Sequence, residues 1–82
     1  MDNRKIETAI KVKIVALTKI IMNLEKCNES NAYKRLTATS LYSLILDKKT
    51  GLYLEPIEFL AKAYEIELNK SKDDMIQYIN QL

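Results

Sequence analysis

Residues 32–66 read AYKRLTATSLYSLILDKKTGLYLEPIEFLAKAYEI. A short helix from about Glu29 to Leu36 is expected to end at Thr37-Ala38-Thr39, whose hydroxyls compete with the backbone and suit helix ends better than helix interiors. Thr39 or Ser40 then caps a third helix, from Ser40 to about Lys49, with Lys48 and Lys49 favourably placed at its negative end. Gly51 is suited to stop that helix, because glycine adopts the left-handed conformation at little cost. Leu52 to Leu54 read as a connector, and Pro56 stands where a first helical residue should be. From Pro56 to Ile66, the residues Ile57, Leu60, Ala61 and Tyr64 recur at one-face spacing.

Upstream, a long helix is expected from about residue 3 to residue 27. Ile6, Ala9, Ile10, Ile14, Ala16, Leu17, Ile20, Ile21, Leu24 and Cys27 form its apolar stripe. Within it, Lys13 falls inside the stripe, and Ile10-Lys11-Val12-Lys13-Ile14-Val15 alternates as a strand does, so helix and strand both remain open for residues 6–14. Asn28-Glu29-Ser30-Asn31 is a polar joint rich in capping side chains. Downstream, Ser71-Lys72-Asp73-Asp74 resembles a capping box and opens a fifth helix over about 72–81, with Met75, Ile76, Ile79 and Leu82 on its inner side. The fold class expected is all-α: a single compact five-helix domain over residues 1–82.

Composition narrows the function. The 82 residues include one glycine, one cysteine and no histidine. Phosphate-cradling loops need two or three glycines at fixed spacing, and the commonest metal ligand and general base is missing. An enzyme is not expected, nor any cofactor or metal. A lone cysteine cannot form an internal disulfide, which points to a cytoplasmic setting. Lys11, Lys13 and Lys19 interrupt the first apolar stretch, so neither a membrane span nor a secretory signal is expected. Residues 1–49 hold ten Lys/Arg against five Asp/Glu, and residues 50–82 hold three against six. A basic front and an acidic rear suit an anionic partner for the front; ordinary solvated helix faces are the alternative.

The segment quoted first resembles the helix-turn-helix core of the Cro and lambda-repressor-like (XRE) family. Pro56 to Leu68 is similar to the family's fourth helix and its exit, and Thr39-Ser40-Leu41-Tyr42-Ser43-Leu44-Ile45 to the start of a recognition helix. Ala32 matches the small residue where the two helices of the motif cross, and Ile45 an apolar core position. With residues 15–27 as a first helix, the resemblance covers most of the chain. It implies a small phage- or plasmid-type repressor acting as a dimer on duplex DNA. The sequence departs from the family at the turn, where Leu36 or Thr37 replaces the usual glycine. Anchoring on Leu36 and on Ile45 gives registers one residue apart.

In that reading Lys34, Arg35, Lys48 and Lys49 neutralise phosphates, while Thr37, Thr39 and Ser40 fix register at the turn and Ser43 faces DNA from the polar strip of the third helix. The bland counterpart is solvated charges and helix caps. No Arg, Lys, Asn or Gln lies between Ser40 and Leu46 to read base edges; Leu41, Tyr42, Leu44, Ile45 and Leu46 cover more than half of that helix. A protein-interaction module gripping a partner through Leu41 and Tyr42, as an antirepressor or inhibitor does, is therefore the competing function. Val12, Val15, Met22, Met75, Ile79 and Leu82 are expected to bury against a second copy, or else to complete the monomer core. Tyr42, Tyr33, Tyr53, Tyr64 and Tyr78 are expected as core contacts with hydroxyls at the rim. Cys27 is expected as a buried small hydrophobe. Glu65, Glu67, Asp73 and Asp74 are expected at solvated helix ends.

Overall fold

Residues 10–15 are helical. In the computed structural model, which describes residues 3–81, α1 runs unbroken over Asn3–Glu25. Ile10, Ile14, Leu17 and Ile21 are buried at helical spacing, whereas Val12, which strand alternation would place beside Ile10 and Ile14, is 59% exposed. Lys13, at the border of the stripe, keeps its stem against the protein and donates from Nζ to the Glu55 carbonyl at 2.6 Å. Thr18 is buried without an orphaned hydroxyl, because Oγ1 donates to the Ile14 carbonyl one turn back at 2.7 Å. Twenty-three residues make a helix about 34 Å long, and the molecule's longest dimension is 36 Å. Leu24, expected inside the stripe, is half-exposed.

The end of α1 is set by Lys26, whose φ of 50° is the only positive φ at a non-glycine residue among those described. The Cys27 N–H reaches back to the Met22 carbonyl at 3.2 Å, a left-handed closure that usually employs glycine. Asn28 then caps α2 (Glu29–Thr37), its side chain accepting from the Asn31 N–H at 2.8 Å. Only Ala38 and Thr39 separate α2 from α3 (Ser40–Leu46). Ala38 is right-handed helical and Thr39 extended, so the joint needs no positive φ and no glycine. Thr39 fastens it from both sides: Oγ1 donates to the Leu36 carbonyl at 2.7 Å and accepts from the Tyr42 N–H at 3.1 Å.

The third helix is shorter than its sequence suggests. Asp47 is extended and starts a separate 3₁₀ turn, Lys48–Thr50, by accepting from the Lys49 N–H at 3.0 Å. Thr50 Oγ1 donates to the Leu44 carbonyl at 2.7 Å and so closes the end of α3. Lys48 and Lys49 therefore do not extend α3, and Gly51, at φ 68°, ends the 3₁₀ turn instead. A second 3₁₀ turn, Leu52–Leu54, is more than a connector: it buries Leu52 and Tyr53. Pro56 lies just outside α4 (Ile57–Asn69), which continues past the expected Ile66. Ser71 caps α5 (Lys72–Ile79), accepting from the Asp74 N–H at 3.0 Å.

The five helices share one core. Leu17 and Ile21 of α1, Ala32 and Leu36 of α2, Leu41 and Ile45 of α3, Leu60 and Ala63 of α4 and Met75 of α5 are all fully buried. No strand occurs among the described residues. Tyr64 ties α4 to α1: its ring is buried and its hydroxyl donates to Glu25 Oε2 at 2.8 Å, while Arg35 of α2 approaches Glu25 Oε1 at 3.2 Å. Burial, then the hydrogen bond to Glu25, holds the Tyr64 hydroxyl well above its ordinary range.

Lys26→Gly removes the left-handed strain of a side-chain-bearing residue and should raise unfolding stability in urea by about 0.5–1 kcal/mol; an unchanged midpoint would contradict that closure. Because the hydroxyl pKa is raised on folding, its contribution to stability is complete below about pH 10, the unfolded tyrosine value, and is lost as pH rises above it. Thermal unfolding between pH 9 and 11 should show this loss, and Tyr64→Phe should flatten it.

Candidate interaction surface

The start of α3, where a base-reading helix would present free N–H groups to phosphate, is already occupied. Glu67, at the end of α4, accepts the Ser40 N–H at 2.7 Å on Oε2 and the Leu41 N–H at 3.0 Å on Oε1. Thr39 takes the Tyr42 N–H. The first three donors of α3 are thus satisfied, two of them by a carboxylate that complements the positive helix end. Glu67 is not a solvated helix end. No local pattern marks this role, since its partners lie 26 and 27 residues away in sequence.

Of the residues expected to touch phosphates, Lys34 and Lys49 are exposed, and among the described residues neither side chain has an ion-pair partner. Arg35 is paired with Glu25, and Lys48 lies 3.5 Å from Glu7 of α1. Thr37 is exposed, but its hydroxyl donates to the Lys34 carbonyl at 3.0 Å; Thr39 is buried and Ser40 half-buried. Ser43 alone of these hydroxyl residues points outward from α3, beside Leu46 and Asp47, which are also exposed. An aspartate there repels phosphate.

The expected partner-facing residues divide differently. Leu41 and Met75 are fully buried and cannot form a contact surface; truncating either removes core packing instead. Met22 and Ile79 are half-buried against the core, and Leu82 lies outside the described residues. Val12 and Val15 are exposed, at 59% and 53%. Tyr42 is half-buried and meets Tyr33 edge-to-face at 6.3 Å, the two hydroxyls lying 3.3 Å apart. The contact with the Tyr33 hydroxyl, followed by burial, raises the Tyr42 pKa. Tyr33 is itself exposed rather than a core residue, unlike the buried Tyr53 and Tyr64. Tyr78 is half-buried, stacked on Phe59 at 4.7 Å. Cys27 is a free thiol, half-buried rather than enclosed.

Val12, Val15, Tyr33 and Tyr42 lie along one surface that crosses three helices. A hollow of about 300 Å³ between α1 and α2 is lined chiefly by Ile14, Val15, Thr18, Lys19 and Tyr33. A second, about 410 Å³, runs along α1 past Val12, Lys11 and Thr8 and shares Val15 and Lys19 with the first. An apolar strip therefore leads from Tyr42 through Tyr33 to Val15 and Val12. Tyr33, Lys11 and Lys19 were not singled out from the sequence as site residues. The available signal was the wheel of α1, which sets Lys19 and the two valines opposite Ile10, Ile14 and Ile21.

Among the described residues no group of three or more Cys, Asp or Glu stands close enough to hold a metal ion, and no helix is long and apolar enough to cross a membrane. No family model matches the chain, and no characterised protein or solved structure matches it.

Glu67→Ala should cost about 1–2 kcal/mol in chemical unfolding, as loss of a charged helix cap does. Its amide exchange should accelerate first at Ser40 and Leu41. A variant as stable as the parent would show that the carboxylate does not hold α3.

Proposed function

We propose that this protein is a protein-interaction module on a helix-turn-helix-like scaffold, of the antirepressor or inhibitor kind, and that it works by covering a partner rather than by reading DNA. The observation that carries this reading is the Glu67 carboxylate on the α3 N-terminus. A phosphate approaching that point meets a negative charge and finds no free N–H group. The outward side chains of α3 include no Arg, Lys, Asn or Gln to make a two-point contact with a base edge; Ser43 offers a single hydroxyl. The surface offered instead is the strip from Tyr42 to Val12, rather than the third helix as a whole, because Leu41 and Ile45 belong to the core.

A second reading, a small repressor-like regulator acting as a dimer on duplex DNA, draws on a specific observation. Lys34, in the last turn of α2, and Lys49, in the 3₁₀ turn that follows α3, are both exposed. They could steer the molecule to a phosphate backbone without reading sequence.

A labelled pool of random duplexes, titrated at about 50 and 200 mM salt, separates the two. The interaction-module reading expects only weak retention, equal for all sequences and gone at the higher salt. Saturable, sequence-preferring binding that is weakened in the Lys34→Ala/Lys49→Ala variant would overturn it in favour of the regulator.

A further inference from the structure

The two acids of α1 are both engaged within the molecule, and its outward lysines are not. Glu7 is paired with Lys48, and Glu25 with Arg35 and Tyr64. Lys5, Lys11 and Lys19 are exposed, and among the described residues none has an ion-pair partner. At about 100° per residue, Lys5, Thr8, Val15 and Lys19 all fall within about 60° of Val12, whereas Lys11 lies about 100° away, one turn along from Glu7. Glu7 and Glu25 fall on the far flank by the same count. The solvent face of α1 thus carries two exposed valines between Lys5 and Lys19, with Lys11 at one flank separating them from the engaged acids Glu7 and Glu25, and the α1–α2 hollow continues it to Tyr33, with Glu29 at its α2 edge.

We infer that this face docks an acidic amphipathic helical segment of a different protein, its apolar residues on Val12, Val15 and Tyr33 and its carboxylates on Lys5, Lys11 and Lys19. The inference rests on the interaction-module reading and names the partner's chemistry. Charge complementarity selects the occupant. A second copy does not suit it: an antiparallel α1–α1 pairing centred on Val12 and Val15 brings the lysines of both copies to one seam. Pairing this face with the acidic rear of another copy is head-to-tail and does not close on itself. A nucleic acid would satisfy the lysines but leave two half-exposed valines uncovered. Lys5 to Lys19 spans about 21 Å of helix, enough for about four turns of a partner whose Leu or Ile residues recur every three to four positions among Asp and Glu.

The test uses the full chain, labelled with ¹⁵N, and a synthetic fluorescent helix of about 16 residues carrying Leu at helical spacing among Glu and Ala. Two control peptides replace its Leu by Ser or its Glu by Lys. The Leu/Glu peptide should move the amide signals of the outer α1 face and Tyr33, and both controls should bind at least about tenfold more weakly. Val15→Asp and the Lys11→Glu/Lys19→Glu pair, all at exposed positions, should each weaken binding by a similar factor, and the Glu→Lys peptide should bind the charge-reversed variant better than the parent. Equal binding of the Ser control would overturn the inference by making the contact purely electrostatic. So would duplex DNA moving the same signals with the same sensitivity to Val15→Asp, or a dimer in sedimentation that Val15→Asp dissociates. If the peptide fails to bind and the duplex pool also fails, this inference is lost while the interaction-module reading survives. Sequence-preferring duplex binding removes both.

Discussion

A seven-residue helix is too short to persist in water by its own hydrogen bonds, and the architecture around α3 follows from how that deficit is met. Leu41 and Ile45 bury it from one side. Thr39 closes the joint with α2, and Glu67 reaches across from α4 to take two of its first N–H groups. Because Glu67 lies in the last turn of α4, that helix has to continue past Ile66 to bring the carboxylate to α3. Placing it also fixes how α4 lies relative to the α2–α3 joint. The interaction that secures the helix is the same one that removes its anion-binding end, so stability and the loss of a phosphate site have one cause.

The long helical periods were legible from sequence because they depend on one stripe meeting one core. Ile10, Ile14, Leu17 and Ile21 outweigh the strand-like alternation of residues 10–15 once the rest of the stripe is considered. Ser71 and Asn28 were legible as caps because their partners are three residues on. The end of α3 was not. Lys48 and Lys49 suit a helix terminus, but Asp47 caps a new turn one residue after α3, and two good local signals compete for the same residues. The turn between α2 and α3 shows the converse. A missing glycine reads as a defect only where the backbone needs a positive φ, and Ala38 and Thr39 do not supply one. The glycine-like conformation falls instead at Lys26.

The site was less legible than the fold. The apolar excess of Ser40 to Leu46 was visible, yet its division between Leu41, which enters the core, and Leu46, which remains exposed, depends on the packing of α4 and α5 behind it. Tyr33 was hidden for a related reason. A lone tyrosine on a short helix usually packs inward, but Ala32 and Leu36 already fill the inner side of α2. Tyr33 turns out to meet Tyr42 instead.

The charge asymmetry between the two halves of the chain takes on a different meaning once the pairs are placed. Read as totals, a basic front and an acidic rear suggest a field directed at nucleic acid from the helix-turn-helix unit. Within that unit, however, Arg35 and Lys48 are paired with carboxylates of α1, and Glu67 of the acidic rear has crossed to the N-terminus of α3. Each of these contacts cancels positive potential where a DNA reader would need it. The same contacts occupy the acids of α1 and leave Lys5, Lys11 and Lys19 unopposed on its outer face, beside two exposed valines. The excess positive charge is thereby moved from a face without base-reading Arg, Lys, Asn or Gln to one with apolar anchors, and such a combination selects for a partner that carries both carboxylates and hydrocarbon.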